Sequence, residues 1–169
     1  MFIGILQHTP LWVWGLLAAL VALGSTQIKT QQMTLRRAAL MPVLMVGLSL
    51  FGVLSSFGGH ALPMLAWLAG AAVSVAGARA CGAWNGAAWS QRDARFNVPG
   101  SWLPMALILT LFAVKYGVGV SLALHPGLKD EALFASAACL AYGVFSGLFL
   151  ARAINFWTLV KQPAKLQAA

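Results

Sequence analysis

Apolar residues fall into five long runs along the chain, and shorter polar or glycine-rich links separate these runs. An apolar segment of about 20 residues is long enough to cross a bilayer as an α-helix. The pattern therefore predicts an all-α polytopic membrane protein, a bundle of five transmembrane helices that forms a single domain over residues 1–169. The predicted spans are about 10–26, 38–57, 62–79, 102–124 and 132–157.

Several runs begin with residues that are typical of helix N-termini. Thr9 and Pro10 suit the cap and the first helical position of the first run. Pro42 is expected in the opening turn of the second run, and Pro104 near the start of the fourth. The first run lacks a basic segment before it and a small-residue cleavage site after it, so we expect a retained helix and not a signal peptide.

The composition favours the same class of protein. Hydrophobic residues make up 60% of the chain and charged residues only 8%, whereas soluble domains carry about 25% charged residues. The formal net charge is +8, from 11 Lys and Arg against three Asp and Glu. Because the basic residues lie between the apolar runs, this excess indicates membrane topology, and we predict no nucleic-acid partner.

The distribution of basic residues predicts the orientation of the chain. Nine of the eleven fall on one side of a five-span protein, and the positive-inside rule makes that side the cytoplasm. The N-terminus is then outside and the C-terminus inside. The nine are Lys29, Arg36, Arg37, Arg79, Arg92, Arg95, Arg152, Lys161 and Lys165.

The third link, residues 80–98, is the one extended link. Aromatic residues alternate there with arginines, which favours a segment at the level of the lipid headgroups. We interpret it as an ordinary aromatic anchor, with a lipid- or partner-binding element as the alternative. The residues concerned are Trp84, Trp89 and Phe96 with Arg79, Arg92 and Arg95.

Small residues recur at helix-packing spacing in the third and fifth runs. In lipid, such stripes let two helix backbones approach closely, which we favour over a substrate groove. The stripes are Gly70, Ser74 and Gly77 in the third run and Ser136, Cys139, Gly143 and Ser146 in the fifth. No disulfide is expected, because Cys81 lies at the inner end of a helix and Cys139 lies inside a later one.

Lys115 is the one charge predicted deep inside a span, and it lies nine residues from the outer end of its run. That distance is about 14 Å along a helix, and a lysine near mid-membrane costs about 2.5–3.5 kcal/mol on insertion scales. Four outcomes are open: reaching outward to Asp130 and Glu131, bonding to neutral groups, losing its proton, or meeting an anionic ligand. Tyr116 is adjacent in sequence but about 100° around the helix.

Two arginines near the cytoplasmic ends of the helices, Arg79 and Arg152, are further candidate site residues, together with Asn155. Arg152 and Asn155 lie near the inner end of the fifth run. Arg152 is expected to be a snorkelling anchor; the alternative is an anion or lipid-headgroup site that it shares with Arg79.

The three histidines, His8, His60 and His125, all fall at outer helix ends. Together they are weak candidates for a zinc, copper or haem site, and solvated loop histidines are the favoured interpretation. With three acids in the chain, general acid–base catalysis is poorly supplied. We therefore predict neither an enzyme nor a cofactor.

Four stretches of the chain are H-T-P-L-W-V-W-G-L-L, P-G-S-W-L-P-M, F-A-V-K-Y and S-G-L-F-L-A-R-A, at residues 8–17, 99–105, 112–116 and 146–153. They resemble a family of small uncharacterised multi-pass membrane proteins of proteobacteria. The resemblance implies a bacterial inner membrane and supplies no activity.

We expect a small transporter or channel-like protein in which Lys115 faces an anionic or polar ligand path, and Arg79 and Arg152 serve its cytoplasmic mouth. A non-enzymatic accessory or scaffold subunit of a membrane complex is the alternative, and a haem or metal protein is a third. Five helices do not divide into an inverted repeat, so a transporter of that type is expected to form a homo-oligomer. The lipid bilayer is the other expected partner.

Overall fold

The computed structural model describes residues 11–57, 60–83, 86–90, 93 and 95–161. These residues form five α-helices, as predicted, and a small three-stranded sheet that the sequence did not predict. The helices are α1 (Leu11–Thr26), α2 (Leu35–Phe57), α3 (Ala61–Ala80), α4 (Leu103–Leu124) and α5 (Ala132–Lys161). The strands are β1 (Gln31–Thr34), β2 (Ala88–Ser90) and β3 (Arg95–Val98), and a 3-10 turn covers Pro126–Lys129.

Three of the helices, α3, α4 and α5, are long and apolar enough to cross a membrane. The apolar parts of the other two helices are shorter, at Val13–Thr26 and Pro42–Phe57. At about 1.5 Å per residue, the 30 residues of α5 extend about 45 Å, whereas a hydrocarbon core is about 30 Å thick. The last turns of α5 therefore extend past the length that a bilayer requires.

The chain divides into two compact units. Unit 1 consists of residues Met1–Thr30 and Gly100–Gly127, and its described part contains α1 and α4. Unit 2 consists of Gln31–Pro99 and Leu128–Ala169, with α2, α3, α5 and the sheet. The single domain expected over residues 1–169 stays a prediction.

In unit 1, the end of α1 packs on the start of α4. A methyl group built on Gly24 would lie 2.9 Å from Cγ of Met105, so the two helices are in contact there. Just outside the helices, the Ser101 N–H donates to the carbonyl of Gln27 at 3.1 Å. Because the end of one helix meets the start of the other, α1 and α4 run antiparallel.

In unit 2, α3 and α5 pack with their backbones in direct contact. A Cβ on Gly143 would overlap the backbone of Trp67, and one on Gly147 would overlap Ala71 and Ser74. Residue numbers rise together in these two contacts, so α3 and α5 run parallel. The predicted close packing is confirmed at Gly70, Ser74 and Gly143, whereas Gly77 is exposed and makes no such contact with the described residues. The reason is steric, because only glycine leaves the room that the facing carbonyls occupy.

The helix ends follow from local chemistry, with one correction. The helix α2 begins at Leu35, directly after β1, so Pro42 lies in its interior and not in its opening turn as predicted. At the end of α3, Gly82 has φ 60° and the Ala83 N–H donates to the carbonyl of Ala78 at 3.1 Å. This is the hydrogen-bond pattern of a Schellman motif, in which glycine accepts the left-handed conformation without a Cβ clash.

The sheet corrects the all-α prediction and the interpretation of the third link. Its order is β1-β3-β2, and both pairs are antiparallel, with Thr34 opposite Arg95. Phe96 is completely buried, with its ring centroid 4.6 Å from that of Trp89 and 4.9 Å from that of Phe156. Phe96 is therefore a core residue, and the sheet packs on the C-terminal end of α5.

Candidate functional site

Lys115 lies in the middle of α4, 12 residues after its first residue and nine before its last, and is half-buried. It is the one charged residue in the sequence of this helix. The polar side chains nearby bond within the helix, since the hydroxyl of Thr110 donates to the carbonyl of Ala106 at 2.8 Å and that of Ser121 to Gly117 at 2.9 Å. Lys115 therefore differs from these neighbours because it carries a charge.

Two glycines, Gly117 and Gly119, follow Lys115 within about one turn of α4. Outside the backbone of α4 itself, no described atom lies within 4 Å of the position where a Cβ would stand on either glycine. Gly119 is one helical turn beyond Lys115 and therefore shares its face. Tyr116 lies on another part of the helix surface, where its ring stacks on Phe112 with a centroid distance of 6.2 Å. The predicted separation of Tyr116 from the face of Lys115 stays a prediction.

Arg152 differs from its expected role. Only 9% of its surface is exposed, and its guanidinium lies 5.6 Å from the centroid of the Phe156 ring. A snorkelling anchor was expected, whereas the structure buries this side chain in unit 2. The ring over which it lies, Phe156, belongs to the core between the sheet and the last turns of α5. Asn155 is half-buried one turn further along α5, and Arg79 is exposed in the last turn of α3.

The histidines show no convergence within the described residues. His60 and His125 are both exposed, and His8 lies outside the described residues. Among the residues that the structure describes, no group of three His, Cys, Asp or Glu is placed to hold a metal ion. Cys81 is exposed and Cys139 is buried, and both are free thiols, as expected.

A hydrogen-bonded junction joins α2, α3 and α5 and was not found from the sequence. The indole N–H of Trp67 donates to the hydroxyl of Ser49 at 3.2 Å, and that hydroxyl donates to the backbone carbonyl of Tyr142 at 3.4 Å. The hydroxyl of Ser146 donates to the same carbonyl at 2.8 Å. The one signal in the sequence is a serine and a tryptophan inside apolar runs, which does not reveal that they are partners.

A model of the family of unknown function DUF6622 matches residues 1–167. The chain belongs to this family. No curated protein and no solved structure matches the chain. The family match spans nearly the whole length, which agrees with the expected resemblance to an uncharacterised family, and the family assigns no chemistry to any residue.

This DUF6622 member contains two kinds of candidate cationic group, a lysine in the middle of a helix and arginines at helix ends. Lys115 is a half-buried lysine in the middle of a long apolar helix of unit 1. Arg79 and Arg152 belong to unit 2, at the end of its helices where the sheet packs. A lysine amine and an arginine guanidinium both attract anions and donate hydrogen bonds.

Proposed function

We propose that this protein is a multi-pass protein of the bacterial inner membrane, and that Lys115 faces the path of an anionic or polar solute through it. All five helices cross the membrane in this proposal, with the N-terminus outside and the C-terminus in the cytoplasm. The observation that carries the solute path is the position of Lys115 at the middle of α4.

The direction of the helices supports the crossing. In unit 2, α3 and α5 pack parallel, so the chain must travel from the end of α3 back to the level at which α5 begins. The helix α4, which lies between them in sequence, is itself long and apolar enough to cross a membrane. The sheet contains β1, which leads directly into α2, and it packs on the end of α5. Therefore α2 starts where α5 ends, as alternating spans require.

The orientation follows from charge. Arg36 in the first turn of α2, Arg79 in the last turn of α3 and Lys161 at the end of α5 share the sheet end of unit 2, because of the helix directions. The opposite end has Lys129 beside Asp130 and Glu131. The positive-inside rule places the sheet end in the cytoplasm.

The depth of Lys115 argues for a polar path. Its Cα is about 18 Å from the start of α4 and about 14 Å from its end. A helical side chain leans toward the N-terminus of its helix, so an outward reach runs against the direction of the Cα–Cβ bond. A charge at this depth is stabilised by a polar interior or a wet cavity and not by lipid. An anionic or polar solute is then attracted to the ammonium group.

Proteoliposomes test this proposal. Wild-type protein is expected to release trapped chloride or inorganic phosphate faster than empty vesicles, and Lys115→Met is expected to abolish the difference. Lys115→Arg, which keeps the charge, should retain flux, and Lys129→Met, which removes a cation outside the spans, serves as the matched control. Equal flux in wild type and Lys115→Met would refute the solute path and favour the accessory-subunit alternative.

A further inference from the structure

The sheet end of unit 2 concentrates exposed positive charge. Four basic side chains are exposed there, namely Arg36, Arg79, Arg95 and Lys161. Among the residues that the structure describes at this end, Asp93 is acidic, and its carboxylate accepts a hydrogen bond from the hydroxyl of Ser90 at 3.1 Å. The four come from four different elements, α2, α3, β3 and α5. The tertiary structure therefore gathers charges that the sequence keeps far apart.

The two faces of the sheet explain why Arg95 is exposed. Along β3, Arg95 and Asn97 are exposed while Phe96 between them is buried. On β1, Gln32 and Thr34 are exposed on either side of buried Met33. The apolar face packs on the helix ends, and the opposite face presents amide, hydroxyl and guanidinium groups.

Arg36, the basic residue at the start of α2, does not stabilise that helix. A helix N-terminus carries partial positive charge, so a cation in the first turn is repelled, and acidic residues are favoured there. The first turn of α2 contains Arg36 and no acidic residue. An anion from outside the chain would compensate this repulsion.

The positions of the basic and aromatic residues along α5 indicate which anion they can reach. Arg152 lies about 30 Å beyond the start of α5, which is the thickness of a hydrocarbon core. Trp157 and Lys161 are about 38 Å and 44 Å beyond that start and so reach the headgroup level. Trp157 is 53% exposed, and Nζ of Lys161 lies 5.9 Å from its ring centroid. An exposed tryptophan beside a lysine is typical of a membrane interface.

We propose that the sheet end of unit 2 binds the phosphate headgroups of anionic phospholipids and enriches them around the protein. Arg36, Arg79, Arg95 and Lys161 contact the phosphates, and Trp157 lies at the boundary between headgroups and acyl chains. This inference rests on the proposed insertion of the chain in a membrane. It does not depend on the role of Lys115.

The test uses the full-length protein in vesicles of phosphatidylcholine and phosphatidylglycerol. Tryptophan quenching is measured once with brominated phosphatidylglycerol and once with brominated phosphatidylcholine at equal mole fraction. Random mixing gives equal quenching, and wild-type protein is expected to be quenched more strongly by the anionic lipid. Each neutralised cation is expected to lower the preference by up to about fivefold, and raised salt should lower it in wild type.

The decisive variant is the quadruple substitution R36Q/R79Q/R95Q/K161Q, which is expected to show equal quenching by the two lipids. The triple R36K/R79K/R95K keeps the charge and should retain the preference, which separates loss of charge from loss of folding. K129Q removes a cation at the other end of unit 2 and should behave as wild type. Equal quenching in wild type, or an equal loss in K129Q, would overturn the proposal.

Extraction of membranes with alkaline carbonate distinguishes the two proposals. Protein that stays in the membrane but shows no lipid preference would overturn the headgroup site and leave the insertion intact. Protein that is released into the wash would overturn both. A DNA duplex that binds the vesicle-inserted protein and abolishes its preference for the anionic lipid at low concentration would also refute the lipid site, since the cations would then serve nucleic acid.

Discussion

Gly143 is the position where the structure predicts the clearest effect of adding one methyl group. A Cβ at this position would lie 2.8 Å from the carbonyl carbon of Trp67, whereas ordinary contact begins at 3.4 Å. The atoms in the way are backbone, so a rotamer change cannot relieve the overlap, and α3 must move by at least 0.6 Å. A gap of about 0.5–1 Å forfeits a quarter to a half of each dispersion contact that it opens.

We expect Gly143→Ala to lower the free energy of unfolding by about 1–3 kcal/mol, the usual range for overpacking. The intrinsic helix preference of alanine opposes this by about 0.5–1 kcal/mol. The loss should therefore be partly masked, and a matched glycine is needed to reveal it. Gly77, on the partner helix α3, is suitable because no described atom outside its own helix backbone lies within 4 Å of its Cβ position.

The assay is reversible unfolding of both variants in mixed micelles, by titration with sodium dodecyl sulfate and with the helical circular dichroism as signal. Gly77→Ala should unfold at the same or a higher detergent fraction than wild type, and Gly143→Ala at a lower one. If Gly143→Ala is as stable as Gly77→Ala, then α3 and α5 do not pack at backbone contact and the parallel arrangement loses its main support.

Two further substitutions test the packing of unit 2. Phe96→Ala removes a completely buried ring, so we expect the free energy of unfolding to fall by about 3–5 kcal/mol and the third link to be proteolysed faster. Trp157→Ala, at an exposed ring, should leave both quantities nearly unchanged. Equal proteolysis of the two variants would contradict a packed sheet. Trp67→Phe removes the donor to Ser49 and should lower the free energy of unfolding by about 0.5–1.5 kcal/mol. In a double-mutant cycle with Ser49→Ala, the two losses should not add. Simple additivity would show that the hydrogen bond contributes nothing to stability.

The sequence alone determined the number and approximate bounds of the five helices and the isolation of Lys115 in its run. These features follow from local chemistry. A long apolar segment satisfies its backbone hydrogen bonds internally as a helix, wherever the rest of the chain lies. The stripe containing Gly70 and the stripe containing Gly143 were also predicted to pack, because small residues at helical spacing indicate close approach.

Only the tertiary structure decided the sheet. Thr34 and Arg95 are opposite each other across β1 and β3, and they are 61 positions apart in the chain. Strands of three and four residues are too short for their alternation to stand out from the surrounding link. One signal was present, since the fifth apolar run is longer than a bilayer requires, and its extra turns support the sheet.

The burial of Phe96 depends on that same sheet, and Arg152 lies over Phe156, a residue of the same core. In the sequence, an arginine near a helix end and a phenylalanine among arginines both resemble interfacial anchors. Their surroundings are created when the end of α5 meets strands from two other links. The helices were thus determined by local hydropathy, whereas the positions of these two side chains were determined by contacts between distant segments, which no local pattern encodes.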